Sequence, residues 1–135
     1  MNVAAITGFS GAGKTTLIVA LIRRFVAEGK RVGAIKHTHH VLNEEHRGDT
    51  GKFLDAGAEP VVFAGKGEAV VFRHNGAARV QFTDERELLQ LFDGDVVLVE
   101  GFKSSEAWPK VELGEQRMDV TEAAAILDRI WRSRS

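Results

Sequence analysis

The stretch "GFSGAGKTT", residues 8–16, decides the fold. It follows the apolar run "VAAIT" and precedes "LIVALI", and it matches the phosphate-binding pattern G-x-x-x-x-G-K-[ST] at every required place. A strand, a glycine-rich turn and a helix N-terminus direct several backbone N–H groups and the positive end of the helix dipole at one point, which suits a phosphate. The sequence therefore predicts a phosphate-binding loop at residues 8–16, at the start of an α/β fold.

Each residue type in this loop has a chemical reason. Gly8, Gly11 and Gly13 allow the backbone to wrap closely where a Cβ would collide. The Lys14 ammonium supplies a point charge for the terminal phosphates, and the Thr15 hydroxyl is an oxygen ligand of the kind that Mg²⁺ prefers. We therefore predict nucleotide contacts from the following residues of the loop: Gly8, Ser10, Gly11, Ala12, Gly13, Lys14, Thr15 and Thr16.

The whole-chain composition indicates one domain without a strongly charged surface. The chain has 135 residues, a formal net charge of -1 and no cysteine. This length fits a single domain over 1–135, and the balanced charge argues against a nucleic-acid partner. The absence of cysteine fits a reducing compartment, and the start of the chain resembles neither a signal peptide nor a membrane span. We expect a cytoplasmic protein that does not bind membranes.

The hydrophobic patterning alternates between strand and helix periods, which is typical of a three-layer α/β sandwich with a mostly parallel sheet. Predicted strands cover 3–7, 31–37, 60–65, 69–74, 78–82, 95–101 and 110–113. Predicted helices cover 14–28, about 49–55, 83–92 with Thr83 or Asp84 as the cap, and 121–131 with Thr121 as the cap. The uninterrupted apolar runs at 3–7 and 95–101 are typical of central strands that are covered on both faces.

Three short strands between residues 60 and 82 form a predicted antiparallel meander at the sheet edge, since "NG" at 75–76 is a strong hairpin signal. Their valine and phenylalanine side chains and the open backbone edge would need a cover. One hypothesis is that a second copy covers the meander in a homodimer. The alternative is that the hairpin folds inward under the helix predicted at 83–92.

A carboxylate near the loop is expected if Mg²⁺ binds there. Glu100 follows the apolar run "VVLV" and precedes Gly101, which places it at the end of a strand. It is our first choice for a metal ligand together with Thr15, although a solvated acid at a strand end has the same pattern. Asp49 is a rival that could instead cap its own helix. We expect Lys14, Glu100 and Asp49 to act in any phosphate chemistry.

The segment "KHTHH", residues 36–40, crowds one lysine and three histidines after the second predicted strand. Ligands bind at the carboxyl ends of strands in such sheets, so Lys36, His37 and His39 are predicted to face an anionic ligand. Two alternatives stay open. The imidazoles could bind a transition metal, with His46 following them, or they could be exposed loop histidines.

Five segments in order carry a resemblance: "GFSGAGKTTL", "KRVGAIKHTHH", "RGDTGKFLDAGA", "VVLVEGFK" and "PKVEL". Together they resemble the MobB family of molybdopterin-guanine dinucleotide biosynthesis adaptor proteins. The resemblance implies a P-loop NTPase-like fold that binds GTP and Mg²⁺, a homodimer, a guanylyltransferase partner and molybdopterin as a further ligand. It implies nucleotide-site roles for the loop and Glu100, a histidine-rich loop at 36–40, an Asp49–Thr50 pair, and Phe102 and Lys103 after Glu100.

The chain departs from the resemblance near its end, where family members have a further strand before the last helix. An N-K-x-D signature for guanine is absent from the sequence, so guanine specificity comes from the resemblance alone. We place none of Gln81, Gln90 or Gln116 near the loop, and Arg47 is the nearest arginine candidate. Feeble hydrolysis is therefore expected. Two other functions stay open: a small-molecule kinase in which Lys36, His37 and His39 position the acceptor, and a non-catalytic interaction module.

Overall fold

The computed structural model of the protein describes residues 1–9, 11–39 and 47–134, with the backbone alone at residue 47. Its strands are β1 Asn2–Thr7, β2 Val32–His37, β3 Val61–Ala64, β4 Glu68–Arg73, β5 Gly76–Gln81, β6 Val96–Glu100 and β7 Lys110–Glu112. Its α-helices are α1 Lys14–Ala27, α2 Arg47–Ala56 and α3 Val120–Ser133, and a 3₁₀ helix covers Glu85–Leu91. Helices therefore alternate with strands along most of the chain.

All seven strands form one sheet in the order β5-β4-β3-β2-β6-β1-β7. The five strands from β3 to β7 in this order run parallel, and β4 and β5 are antiparallel to their neighbours. The register pairs Glu100 with both Ile6 and Lys36. The carboxyl ends of β1, β2 and β6 consequently meet at one edge of the sheet, directly under the phosphate-binding loop.

One face of the sheet is covered by all three α-helices. Leu17, Leu21 and Phe25 recur on one side of α1 and are buried in this layer. Phe53 of α2 and Leu127 of α3 belong to the same core cluster. The last turns of α3 are attached to the start of β1, because the indole Nε1 of Trp131 donates a hydrogen bond of 3.0 Å to the Val3 carbonyl.

The opposite face is covered by the 3₁₀ helix and by the segment that follows β6. Leu88, Phe92 and Trp108 form its core together with side chains from the sheet. The ring of Phe92 lies directly over Gly33, where a Cβ would come within 2.3 Å of a ring carbon. This outer layer is thin, but both faces of the central strands are covered, and the predicted three-layer α/β fold with a mostly parallel sheet is confirmed.

The structure differs from the sequence prediction at two helices. The predicted helix over 83–92 is a 3₁₀ helix, in which the Asp84 side chain accepts from the Arg86 N–H and the Glu87 side chain completes a capping box. The last helix begins at Val120, and its N-cap is Asp119 rather than Thr121. Asp119 accepts from the Thr121 N–H, so the cap lies two residues earlier than predicted.

The meander lies at the sheet edge, with β5 outermost. Val62, Ala64, Ala69 and Val71 are buried in the same cluster as Leu88 of the 3₁₀ helix. This is the inward-folded arrangement, so the apolar side chains of β3 and β4 are covered within one chain. No strand among the described residues pairs with the outer edge of β5. Among those residues, no helix is long and apolar enough to cross a membrane.

Candidate nucleotide site

The phosphate-binding loop ends at the N-terminus of α1 in the conformation that the motif requires. Gly13 is the N-cap and has a left-handed backbone, with φ of 89°, which an L side chain rarely adopts. As a glycine it offers no side-chain acceptor to the first N–H groups of the helix. The first turn also contains no acidic residue. Free N–H groups and the positive helix end are therefore available to an anion.

Lys14 lies folded back on the loop. Its Nζ donates a hydrogen bond of 2.8 Å to the Gly8 carbonyl. Burial lowers the pKa of Lys14, and the positive charges of Lys103 and Lys36 lower it further, while Glu100 acts in the opposite direction. An anionic ligand at the loop would supply the negative charge that these neighbouring cations favour.

Thr15 points to the two predicted acids. Its Oγ1 donates a hydrogen bond of 2.7 Å to Glu100 Oε1 and lies 3.4 Å from Asp49 Oδ2. Glu100 is the last residue of β6 and is only 4% exposed, whereas Asp49 lies in the first turn of α2. The two acids that the sequence offered as rivals therefore lie together. Thr50 is buried, and its hydroxyl has no hydrogen-bond partner among the described residues.

Lys36 completes this cluster from the end of β2. Its Nζ forms ion pairs with Glu100 and, at 2.8 Å, with Asp49 Oδ2. Burial alone would lower the pKa of Lys36, but the hydrogen bonds to Asp49 and Glu100 outweigh it and raise the pKa. We call Thr15, Lys36, Asp49 and Glu100 the acid cluster. Its ammonium group lies between two carboxylates, at a point where the surrounding oxygens favour positive charge.

The acid cluster fits a magnesium ion. A hydroxyl and two carboxylates are the hard oxygen ligands that Mg²⁺ takes in proteins, usually one or two of them together with water and phosphate oxygens. The ammonium group of Lys36 between the carboxylates shows that the cluster accommodates a cation. Thr15, Glu100 and Asp49 are thus the residues that could hold Mg²⁺ beside the loop.

His37 lies on the other face of the sheet from Lys36, because successive side chains of a strand alternate. Its ring stacks on Phe102 at a centroid distance of 3.8 Å, and His39 meets His37 edge-on at 4.9 Å. The Phe102 N–H donates to His37 Nδ1 at 3.3 Å. Burial lowers the pKa of His37 to about 4, with the nearby His39 charge acting in the same direction. Lys36 and the two histidines therefore do not face one ligand together.

Gly101 lies directly beside the histidine stack, which is the ring cluster of His37, His39 and Phe102. Its φ is 100°, and a Cβ at this position would lie 2.8 Å from the His37 Cβ. A side chain would collide there and would also strain the backbone. Glycine after Glu100 is therefore required by the close approach of β6 to the end of β2.

Several residues that the sequence predicts for the site lie outside the residues that the structure describes. Ser10, His40 and His46 are not among the described residues, and neither is the side chain of Arg47. Within the described ranges, no three His, Cys, Asp or Glu side chains are grouped so that they could hold a metal ion. The three-histidine metal hypothesis therefore has no support from His37 and His39.

Arg117 is a residue that sequence reasoning missed. Its side chain lies over the phosphate-binding loop, with Cγ, Cδ and Nε each 3.7 Å from the place of a Cβ on Gly13. The sequence offered Arg47 as the nearest arginine candidate, whereas the structure brings the Arg117 side chain to the loop. No spacing rule connects Arg117 to residues 8–16; only the pairing of β7 with β1 brings them together.

Comparisons with known proteins show which family the chain resembles. A family model described as molybdopterin guanine dinucleotide synthesis protein B matches residues 3–130. The molybdopterin-guanine dinucleotide biosynthesis adapter protein of Haemophilus influenzae is 38% identical over 118 residues, which cover 84% of this chain and 63% of that protein. The Escherichia coli adapter protein is 37% identical over 111 residues, covering 76% and 59%. The chain thus spans less than two thirds of the length of these relatives.

Solved structures give the same result for the fold. The crystal structure of a MobB protein homolog from Bacillus stearothermophilus has a TM-score of 0.50 at 26% identity, covering 93% of this chain and 70% of that one. Bacillus subtilis MobB has a TM-score of 0.54 at 24% identity, covering 86% and 69%. Since the family model extends over nearly the whole chain, the chain belongs to the molybdopterin guanine dinucleotide synthesis protein B family.

Proposed function

We propose that this chain is a Mg²⁺-dependent GTP-binding accessory protein that acts with a nucleotidyltransferase in the assembly of molybdopterin guanine dinucleotide. The relatives' names supply the pathway, and the site geometry supplies the chemistry. The observation that carries the proposal is the 2.7 Å contact of Thr15 with Glu100 beside the phosphate-binding loop, since a triphosphate and its metal need these two groups together.

Each residue of the site has a role in nucleotide binding that follows from its position. The N–H groups of the loop at Gly11 and Gly13 bind phosphate oxygens, and so does that of Ala12 once it gives up its 3.1 Å hydrogen bond to the Phe9 carbonyl. Lys14 exchanges the Gly8 carbonyl for the terminal phosphates. Thr15 and Glu100 would hold Mg²⁺, and Asp49 would bind it directly or through water. Bound Mg²⁺ supplies charge neutralisation on the phosphates. Lys36 holds the two carboxylates in place through its ion pairs.

We infer that hydrolysis by the chain alone is slow, well below the ~1 to 100 s⁻¹ of kinases. A positioned water and an arginine that neutralises the developing charge each contribute strongly to phosphoryl transfer. Gln81 lies on β5 and Gln90 on the 3₁₀ helix, away from the acid cluster. Arg117 reaches the loop at Gly13 from the β7 flank, whereas Glu100 of the acid cluster lies on the β6 flank. Slow hydrolysis fits an accessory role, in which the bound nucleotide orders a surface for the partner enzyme.

Among the residues that the structure describes, no arrangement favours the kinase alternative. It requires Lys36, His37 and His39 around one acceptor, but Lys36 is paired with Asp49 and Glu100 while the histidines stack with Phe102. The guanine preference, the guanylyltransferase partner and molybdopterin as a further ligand are inferred from the family. A cytoplasmic location is part of the same proposal.

A homodimer also belongs to the proposal. Its support is the open outer edge of β5, which another chain could extend. Exposed apolar side chains on the meander do not support it, since Val62 and Val71 are already buried. Light scattering at micromolar concentration tests it, and a monomer would remove it.

The test of nucleotide binding compares Lys14→Ala with Lys66→Ala. Lys66 is exposed in the turn between β3 and β4, away from the site. Titration calorimetry with Mg²⁺ and a non-hydrolysable GTP analogue is expected to show about 10- to 100-fold weaker binding for Lys14→Ala, since a hydrogen bond to a charged group is lost. Lys66→Ala should bind like the wild type. Equal affinity in all three proteins would overturn the proposal.

The accessory role needs a second assay. Purified guanylyltransferase is supplied with molybdopterin, Mg²⁺ and GTP, and formation of the dinucleotide is followed with and without this chain. The wild type should increase product formation, and Lys14→Ala should not. If wild type and Lys14→Ala act alike, nucleotide binding does not serve this role.

A further inference from the structure

A second feature of the loop lies on the flank away from the acid cluster. It is a pocket of about 200 Å³ between the first turns of α1 and the segment that joins β7 to α3. The residues that line it are Ala12, Gly13, Thr16, Leu17, Ala20, Leu113, Arg117, Met118 and Val120. We call it the α1 pocket.

The sheet order fixes where this pocket lies relative to a triphosphate. β1 has β6 on one side and β7 on the other. Thr15 turns to Glu100 at the end of β6, while the next residue, Thr16, lines the α1 pocket beside Leu113. If the terminal phosphate and its metal lie at the acid cluster, the phosphate chain crosses the helix N-terminus and brings the nucleoside out on the β7 flank, at this pocket.

The chemistry of the α1 pocket suits a flat aromatic ring. Leu17, Leu113 and Met118 give it an apolar wall. Arg117 lies at its edge, within 3.7 Å of the Cβ position on Gly13, and forms no ion pair or hydrogen bond with other described residues. A guanidinium plane stacks well on an aromatic face. An aromatic ring that enters the pocket from the loop would therefore lie against the Arg117 guanidinium.

We propose that the α1 pocket holds the nucleobase of the bound nucleotide, with the Arg117 guanidinium stacked on the base. The inference rests on the proposed function, because it requires phosphates in the loop. Among the described residues lining the pocket there is no carboxylate or side-chain amide to read the base edge. A mainly apolar pocket discriminates between rings of similar size by a modest factor, unlike a site built around hydrogen bonds. The guanine preference taken from the family is therefore modest, and GTP and ATP bind with affinities within about tenfold of each other.

The experiment separates the base from the phosphates. Calorimetry measures the affinity of the wild type, Arg117→Ala and Arg129→Ala for Mg²⁺ complexes of a non-hydrolysable GTP analogue, the matching ATP analogue and inorganic triphosphate. Arg129 is an exposed arginine on α3 that does not line the pocket and serves as the control. Arg117 is exposed as well, so neither change should prevent folding.

The expected result is specific to the nucleoside. Arg117→Ala weakens both nucleotides about three- to tenfold, as expected for loss of stacking on one base, and leaves triphosphate affinity unchanged. Arg129→Ala changes neither. Equal weakening of triphosphate would assign Arg117 to the phosphates and overturn the proposal, as would no change with any ligand. A GTP preference clearly above about tenfold in the wild type would refute recognition of the base by an apolar pocket.

One outcome would overturn the underlying function instead. If the wild type binds neither nucleotide nor inorganic triphosphate, the loop does not hold phosphates and both proposals fall. If it binds triphosphate as tightly as GTP, the loop works as proposed and only the base pocket is wrong.

A second variant, Ala20→Met, narrows the pocket from the α1 side. It should weaken nucleotides but not triphosphate.

Discussion

Replacement of Lys36 by methionine tests the electrostatics of the acid cluster. In the wild type, the Lys36 ammonium pairs with Glu100 and Asp49. Methionine is of similar length but has no charge, so the variant leaves two carboxylates close together without their cation. Glu100 is the more affected of the two, because its side chain is 5% exposed while that of Asp49 is 29% exposed.

The size of the effect follows from this burial. Removing one partner of a fully buried ion pair typically costs about 3–5 kcal/mol, because the remaining charge is left uncompensated. Solvent reaches Asp49, and the Thr15 hydroxyl still donates to Glu100, so we expect the free energy of unfolding to fall by about 2–3 kcal/mol. For a chain of 135 residues, this corresponds to a fall in Tm of roughly 6–15 °C.

Urea unfolding followed by circular dichroism measures this change, with two companion variants. Lys52→Met is the matched control, since Lys52 lies 3.9 Å from the same Asp49 but its side chain is 66% exposed; it should change stability by less than about 1 kcal/mol. The double variant Lys36→Met with Glu100→Gln removes the orphaned charge. It should be more stable than Lys36→Met alone.

Magnesium gives a further readout. In Lys36→Met, Mg²⁺ can replace the missing positive charge and should raise Tm more than it does in the wild type, where the ammonium competes for the same carboxylates. The reasoning is refuted if Lys36→Met costs no more than Lys52→Met. It is also refuted if adding Glu100→Gln destabilises Lys36→Met further.

Three other predictions concern the histidine stack and the core. The pKa of His37 is lowered to about 4 from a usual 6.5, so the unfolded chain binds more protons between these values, and the free energy of unfolding falls as pH drops from about 6.5 to 4. His37→Gln should flatten that part of the profile in urea titrations, and an unchanged slope would contradict it. Gly101→Ala should cost about 2–4 kcal/mol in the same assay, because its Cβ meets the His37 Cβ at 2.8 Å with φ at 100°. Gly33→Ala should be similarly costly, since Phe92 lies 2.3 Å from the new methyl; for either glycine, a loss under about 0.5 kcal/mol would be inconsistent with this packing.

The parts of the site that sequence could predict are those tied to a strand end or to the loop motif. Thr15 follows from the motif, and Glu100 follows from its position after an apolar run, because parallel strands bring such residues to one edge. Asp49 is only an alternative to Glu100 at the level of sequence, because the packing of α2 beside α1 cannot be inferred from their separation along the chain. The structure brings both acids to Thr15.

Other features depended on contacts that a pattern does not contain. Lys36 and His37 are neighbours in sequence, but strand alternation sends them to opposite faces, which a reading of "KHTHH" as one cluster overlooked. Arg117 reaches Gly13 only through the pairing of β7 with β1. The 3₁₀ geometry of 85–91 depends on local capping and on packing over the sheet, and helical periodicity does not distinguish it from an α-helix over so short a span.

The two tryptophans of the chain are distributed between the two faces of the sheet. Trp108 contacts Phe102 edge-on, and Phe102 in turn stacks on His37. Trp131 is a buried residue of α3 and lies against Phe25 of α1. Replacing either indole by phenylalanine would leave a protein whose intrinsic fluorescence comes from a single layer. Such a pair of single-tryptophan proteins would reveal, without any added dye, whether the two layers melt together or one after the other.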